Sequence, residues 1–208
     1  MPENILATDE NFETIHRFTA YWERDVNGVV TNEVNDRGGV TRNGITLGFL
    51  KSLTDKELAD LNKDGKIDIK DVLAANESLA KELFYHEFWI NGKARMLPPY
   101  TAMVYYDFSV NSGFPNAAIN LQKTIDSLRP GTIGSYAGNI GPKTMAAVQK
   151  FTKRPDDYKL AIGLLHYRKE FVKEIVNNDP SQASELDGWN NRIQACYKLI
   201  VDLYEYGR

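Results

Sequence analysis

The sequence predicts a mainly α protein with one small β-hairpin in its N-terminal part. Residues 26–46 are rich in Gly, Asn, Val and Thr, a composition that favours short extended pieces around a turn. No long linker, repeat or low-complexity tract interrupts the chain. Apolar residues recur at helical spacing in most of the remainder, notably in residues 9–25, 77–89, 99–112, 116–128, 157–177 and 181–206.

Length and composition restrict the classes of protein to consider. A chain of 208 residues forms one large domain or two small ones. The run Leu97-Pro98-Pro99 breaks a helix, so we expect regions 1–96 and 97–208, together one compact unit. The formal net charge of −3 argues against non-specific nucleic-acid binding. The single Cys196 excludes an intramolecular disulfide, and no apolar run reaches membrane-spanning length.

The first predicted helix carries a candidate acid. Asp9 is a plausible N-cap, and Trp22 belongs to the apolar stripe of residues 9–25. Glu23 follows at the border of that stripe, where an aromatic neighbour favours the protonated form of a carboxyl group. The alternative is an ordinary solvated glutamate near a helix end.

The Gly-rich segment that follows carries a second carboxylate and two hydroxyls. Gly38-Gly39 is a turn signal, and Thr41 and Thr46 occupy strand-like positions. Asp36 precedes them. Glycosidic bond cleavage needs one acid and one base on opposite sides of a sugar, so Glu23 and this segment have suitable chemistry. Ordinary β-propensity is the competing explanation for the threonines.

Residues 60–71 have the spacing of a calcium loop of the EF-hand or dockerin type. Oxygen side chains stand at loop positions 1, 3, 5, 9 and 12, with Gly at position 6. We expect a structural Ca²⁺ here, and a solvated acidic turn is the alternative. The expected ligands are Asp60, Asn62, Asp64, Lys66 through its carbonyl, Asp68 and Asp71.

Two polar residues interrupt the apolar helix predicted for residues 99–112. Asp107 and Asn111 are four residues apart and therefore share one face. They are candidates to line a substrate groove. A hydrogen-bonding role inside the core is equally compatible with the sequence.

Several motifs resemble, in order, the glycoside hydrolase family 108 lysozymes with their C-terminal peptidoglycan-binding region. Glu23 follows an apolar helix, as the catalytic Glu of that family does. The other matching segments are Asn32-Glu33-Val34-Asn35-Asp36-Arg37-Gly38-Gly39-Val40-Thr41-Arg42-Asn43-Gly44-Ile45-Thr46, Phe88-Trp89, Tyr106-Asp107-Phe108-Ser109-Val110-Asn111-Ser112-Gly113, Leu121-Gln122, Asn139-Ile140-Gly141-Pro142-Lys143-Thr144 and Gly188-Trp189-Asn190-Asn191-Arg192.

The resemblance implies a lysozyme-like helical fold, with the hairpin at the active site and a helical C-terminal half packed on it. It implies hydrolysis of the β-1,4 bond between N-acetylmuramic acid and N-acetylglucosamine, without a catalytic cofactor. Glu23 would be the catalytic acid, and Asp36 and Thr41 would position the attacking water. The expected substrate contacts are Gly38, Gly39, Asn43, Thr46, Asp107 and Asn111.

Many proteins of this kind are phage endolysins, and some carry the name secretion activator. The N-terminus lacks the pattern of a signal peptide. We therefore expect synthesis in the cytoplasm and action on the cell wall after holin-type or other non-classical export. The expected partner is the peptidoglycan glycan strand, bound by a monomer.

The sequence departs from the family pattern directly after the candidate acid. Arg24-Asp25-Val26 stand where the family usually has Gly-Gly-Tyr, and residues 24–31 form a longer segment than usual. Losing these glycines changes how closely the backbone approaches a sugar. The alternative to a muramidase is a non-catalytic peptidoglycan-binding or secretion-helper protein that retains the fold.

Overall fold

The computed structural model describes residue 7 and residues 9–23 and 40–206, and it confirms the mainly helical class with a two-stranded antiparallel sheet. In these residues no helix combines the length and the apolar character needed to cross a membrane. The α-helices are α1 (Asp9–Glu23), α2 (Leu47–Ser52), α3 (Lys56–Ala59), α4 (Ile69–Ala74), α5 (Glu77–Phe84), α6 (Pro99–Ser112), α7 (Phe114–Leu128), α8 (Pro142–Val148), α9 (Arg154–Asn178) and α10 (Leu186–Tyr206); the strands are β1 (Thr41–Arg42) and β2 (Ile45–Thr46).

The chain divides into two compact units. We call residues 16–91 the hairpin unit, and the residues up to Ile15 together with Gly92–Arg208 the helical unit. Helix α1 therefore begins in the helical unit and ends in the hairpin unit. The sequence suggested a division near residue 97, whereas the structure groups the start of α1 with the C-terminal part of the chain.

The hairpin unit contains a two-residue β-turn. Thr41 lies opposite Thr46, and Arg42 lies opposite Ile45. Asn43 and Gly44 have φ values of 51° and 77°, the left-handed conformation that tight hairpins need and that Asn-Gly adopts readily. The sequence had singled out Gly38-Gly39 as a turn, and these glycines lie outside the described residues.

An aromatic cluster forms the core of the hairpin unit. Phe49 stacks on Phe88 at 5.8 Å between ring centroids, and Phe84 lies 6.1 Å from Phe49. The sequence predicted one helix over residues 77–89, but α5 ends at Phe84 and a π-helix, Tyr85–Asn91, continues it. The wider turn buries both Phe88 and Trp89, which are adjacent in the sequence.

Aspartates cap two short helices of this unit. The N-cap of α3 is Asp55, which accepts from the backbone N–H groups of Glu57 and Leu58. A complete capping box is found at α4, between Asp68 and Asp71. A carboxylate accepts two backbone N–H groups more strongly than a hydroxyl, which explains the choice of Asp55.

Helix α6 is the centre of the helical unit. Its nine residues from Thr101 to Ser109 are all buried, as expected for a helix that is apolar on every side. It packs against α7 and α9, and α9 packs against α10. The sequence predicted the last helix over residues 181–206, but a 3-10 turn, Pro180–Glu185, precedes α10 because Asp179 accepts from the Ser181 N–H.

Candidate active site

Glu23 lies against the turn of the hairpin. It is the last residue of α1 and is half-buried. A Cβ added to Gly44 would lie 3.0 Å from the Glu23 Cβ, 3.4 Å from its Oε2 and 3.1 Å from the Phe84 Cζ. The glycine thus allows the turn to approach both side chains closely, so the hairpin fixes where the carboxyl group stands.

The hairpin itself is anchored to the segment around α4. The Asn43 Nδ2 donates to the Ala75 carbonyl oxygen at 2.8 Å, and Arg42 donates to the Leu73 carbonyl. Ile45 is fully buried beneath the turn. These contacts hold the turn rigidly beside Glu23, as a catalytic group requires.

The two threonines of the hairpin have different surroundings. Thr46 is the N-cap of α2, and its hydroxyl oxygen accepts from the Phe49 N–H at 3.1 Å. Thr41 stands opposite it at the start of β1 and is half-buried. Asn43 and Thr46, expected to contact substrate, therefore already have roles in the fold.

Three of the expected site residues lie outside the described residues. They are Asp36, expected to position the attacking water, and Gly38 and Gly39, expected to contact the substrate. The structure thus brings Glu23 beside the Asn43-Gly44 turn of the hairpin that carries Thr41, and the pairing of Glu23 with Asp36 remains a prediction from the sequence.

Aromatic side chains surround the end of α1. The Phe84 ring, which belongs to the aromatic cluster described above, lies 5.8 Å from the His16 ring. Tyr21 is strongly exposed and meets Trp22 edge-on at 5.6 Å. The aromatic cluster thus adjoins the Gly44 turn against which Glu23 lies.

Asp107 lies in the core of the helical unit, the second of the two interpretations that the sequence left open. Its side chain has no exposed surface and contacts Arg168 Nη1 at 2.6 Å and Arg192 Nη2 at 2.8 Å. Burial raises the pKa of Asp107, but the charges and hydrogen bonds of Arg192 and Arg168 outweigh it and lower the pKa to about 2. Asn111 accepts from Arg168 Nη2 at 3.3 Å and is only half-buried.

Sequence reasoning missed these two arginines. Arg192 ends the segment Gly188-Trp189-Asn190-Asn191-Arg192, which was noted without a role for any residue. Arg168 lies in the middle of α9 and is buried. A cation on the buried face of a helix is the sequence signal that could have identified it. A buried Asp requires a partner of opposite charge, so Asp107 itself pointed to them.

The predicted calcium loop closes on its own hydrogen bonds. The Asp60 carboxylate accepts from the N–H groups of Asp64 and Gly65, at 3.2 and 2.8 Å. Asp71 is fully buried and accepts from the N–H groups of Asn62 and Asp68, at 3.1 and 2.8 Å. Calcium prefers oxygen ligands, and these carboxylates could supply them. In this conformation the same oxygens accept hydrogen bonds from N–H groups of the loop.

The described part of the chain contains no group of three or more His, Cys, Asp or Glu side chains arranged to hold a metal ion. Lys70 instead lies 3.8 Å from the Asp64 carboxylate. The calcium site therefore stays a prediction.

Comparison with known proteins supplies the family. Residues 17–113 match the family model described as Glycosyl hydrolase 108. Residues 17–113 belong to the glycosyl hydrolase 108 family. Residues 117–194 match the model described as Predicted Peptidoglycan domain, so the expected combination of a glycosyl hydrolase 108 region with a C-terminal peptidoglycan-binding region is confirmed.

A solved structure matches the fold of this chain over nearly its whole length. The structure of Brucella abortus SagA superposes with a TM-score of 0.71 at 22% sequence identity. The match covers 95% of this chain and 98% of that one. No curated protein sequence shows a significant match.

Proposed function

We propose that this glycosyl hydrolase 108 chain cleaves the β-1,4 bond between N-acetylmuramic acid and N-acetylglucosamine in peptidoglycan. The family of residues 17–113 supports glycoside hydrolysis, and the peptidoglycan domain of residues 117–194 supports the substrate. The observation that carries the proposal is the position of Glu23, whose carboxyl group is held against the Gly44 turn.

In the proposed mechanism Glu23 is the general acid. It donates its proton to the glycosidic oxygen as the bond to the anomeric carbon breaks. A water held by Asp36 and Thr41 attacks that carbon from the opposite face and loses a proton to Asp36. The product has inverted configuration, because a water rather than a carboxylate makes the new bond. No catalytic cofactor takes part.

Substitution of the acid tests this mechanism. Glu23→Gln keeps the size of the side chain but cannot donate the proton, so we expect clearing of a peptidoglycan suspension to slow about a hundredfold or more. Glu10→Gln, at an exposed glutamate of the same helix, is the matched control. Circular dichroism tests whether both variants remain folded. Clearing by Glu23→Gln at the parent rate would exclude Glu23 as the acid.

The bond cleaved is identified by mass spectrometry of the reduced products. Reducing N-acetylmuramic acid ends are the expected result. Reducing N-acetylglucosamine ends would point to a glucosaminidase instead.

The second candidate function is a non-catalytic peptidoglycan-binding or secretion-helper protein. Arg24-Asp25-Val26, in place of the glycines usual in the family, favour it. Co-sedimentation with insoluble peptidoglycan, without loss of turbidity at any pH or metal concentration tested, would support this function over hydrolysis.

Residues 60–71 are proposed to bind a structural Ca²⁺. Binding would replace the amide partners of Asp60, Asn62 and Asp64 with the ion, and would raise the melting temperature. Isothermal titration of the purified protein, with and without a chelator, measures this, and Asp64→Asn should weaken binding. Absence of heat and of any shift in melting temperature would remove the ion from the proposal.

The proposed site of action is the cell wall, reached by holin-type or other non-classical export, and the proposed state is a monomer. Fractionation of producing cells, and light scattering of the purified protein, test the two statements separately.

A further inference from the structure

The connection between α7 and α8 is a long loop with no regular secondary structure, residues 129–141. Loops of this length are uncommon in compact domains and usually carry function. Asp126, at the end of α7, accepts from the backbone N–H groups of Ile133 and Gly134, at 2.6 and 2.8 Å. Lys143, on α8, donates to the Ile133 carbonyl oxygen at 2.5 Å. The middle of the loop is therefore held from both flanking helices.

The second half of the loop is held equally firmly. The side-chain amide of the buried Gln122 accepts from the Ala137 N–H at 2.6 Å and donates to the Asn139 carbonyl at 2.9 Å. A Cβ added to Gly138 would lie 2.9 Å from the Pro115 Cβ, so the loop backbone lies directly on the start of α7. Side-chain hydrogen bonds and packing on α7 hold the loop in place, although it has no regular secondary structure.

This rigid loop presents an exposed aromatic ring. Tyr136 is 46% exposed, although Ile133, three residues earlier, is buried. In the part of the chain that the structure describes, no aromatic ring stacks on Tyr136. The loop that Asp126 holds through the Ile133 and Gly134 N–H groups thus carries the ring at the surface.

We propose that Tyr136 is a stacking surface for the glycan strand of peptidoglycan. All residues of this surface lie within residues 117–194, the part that matches the peptidoglycan domain. The C–H face of a pyranose ring is apolar and packs on an aromatic face, while phenol hydroxyls at the edge bind the sugar's hydroxyl and acetamido groups. The proposal rests on peptidoglycan as the partner, but not on hydrolysis at Glu23.

Asp126 is a positioning residue in this proposal. Its oxygens accept from the loop N–H groups, so it holds the loop that carries the ring instead of contacting the sugar. Tyr136 is the contact residue. A preorganised ring loses little conformational entropy on binding, which is the advantage of the rigid loop.

The test is co-sedimentation of the full chain with purified, insoluble peptidoglycan, in a Glu23→Gln background so that cleavage cannot alter the substrate. Tyr136→Ala should raise the Kd about tenfold. Tyr136→Phe, which keeps the ring, should stay within about threefold of the parent. Tyr206→Ala is the matched control, since Tyr206 is 69% exposed and lies outside residues 117–194.

The source of the affinity is resolved by competition. Soluble chito-oligosaccharides, which share the β-1,4-linked N-acetylglucosamine of the strand, should displace the bound protein, and isolated stem peptides should not. Unchanged binding by Tyr136→Ala, or displacement by stem peptides alone, would overturn the proposal. Tyr136→Trp offers a larger ring should the alanine variant fold poorly, and weaker binding by it would also overturn the proposal. If the parent protein does not clear peptidoglycan, hydrolysis is refuted. The binding measurements would still test the role of Tyr136.

Discussion

At the scale of the residue, the position of Glu23 depends on Gly44. The glycine meets two requirements at once, a positive φ of 77° and the absence of a Cβ beside Glu23 and Phe84. Only the first is visible in the sequence, as part of Asn43-Gly44. The second arises because α1, α5 and the hairpin meet at this point.

Gly44→Ala is therefore expected to harm both stability and activity. The left-handed backbone alone costs about 1–2 kcal/mol in unfolding free energy, and the added methyl group displaces Glu23. Chemical denaturation and the clearing assay measure the two effects. The matched control is Gly48→Ala in α2, where the nearest atom to an added Cβ is 3.8 Å away and alanine favours the helix. Equal behaviour of the two variants would contradict this account.

Asp107 and its two arginines are the other group decided at this scale. One buried carboxylate serves two guanidinium groups, and the Arg168 Nε has no hydrogen-bond partner. The Arg168 guanidinium also lies 5.3 Å from the centre of the Phe108 ring, which partly compensates its charge. The cluster connects α6, α9 and α10, so it determines how these helices pack.

Asp107→Asn should lower the free energy of unfolding by about 3–5 kcal/mol, because it removes the carboxylate charge that contacts two buried guanidinium groups. Urea denaturation at neutral pH measures the loss. Glu170→Gln removes one partner of an exposed ion pair, with Lys173 at 2.8 Å, and should cost less than about 1 kcal/mol. A loss for Asp107→Asn no greater than that of Glu170→Gln would show that the cluster is not stabilising.

At the scale of the element, α6 depends on a cap from another helix. Pro98 and Pro99 open α6 without a capping side chain of their own. Asp157, on α9, accepts from the N–H groups of Tyr100 and Thr101, each at 2.9 Å, and from the Thr101 hydroxyl at 2.7 Å. The apolar helix was predictable from composition, but its cap comes from a residue far away in the sequence.

The cap makes stability depend on pH. Burial raises the pKa of Asp157 from 3.8 to about 6, and hydrogen bonds from Thr101 and Tyr100 offset only part of that rise. The folded protein therefore binds this proton more tightly than the unfolded chain. The contribution is full below about pH 4 and is lost as the pH rises through about 6.

Asp157→Asn removes this titration. The stability of the parent relative to the variant should fall between pH 4.5 and pH 7, measured by urea denaturation at each pH. A parent-minus-variant difference that rises over that interval, or stays constant, would show that Asp157 does not carry the raised pKa.

At the scale of the whole molecule, the compact units do not follow the family boundaries. The glycosyl hydrolase match ends at residue 113, yet α6, within that match, belongs to the helical unit with α7, α9 and α10. Nine consecutive residues of α6 are buried there. The segment that matches one family thus needs residues of the other to complete its core.

A fragment of residues 1–113 is accordingly expected not to fold. Without α7 and α9, α6 would expose apolar side chains on all sides, which favours aggregation. Near-ultraviolet circular dichroism and size-exclusion chromatography of the fragment, compared with the full chain, test this. A monomeric fragment with a cooperative thermal transition would contradict it.

Much of the fold followed from the sequence because it depends on local pattern. The apolar stripes gave the helices, and the bounds of residues 99–112 agree with α6. The prediction was wrong where neighbours decided the outcome, as at the π-helix Tyr85–Asn91 and at the 3-10 turn Pro180–Glu185 before the last helix. In the candidate site, Glu23 and Thr41 were recognisable from motif order, whereas the contact of Glu23 with Gly44 was not.

The sequence by itself predicted the helical class, a small hairpin within residues 26–46 and the family resemblance, since each depends on patterns of residues close together in the chain. The tertiary structure decided that Asp107 is buried between Arg168 and Arg192, that Asp157 caps α6, and that the loop of residues 129–141 holds Tyr136 exposed. Each of these depends on side chains that are distant in the sequence and meet only when the helices pack, and local patterns carry no information about such meetings.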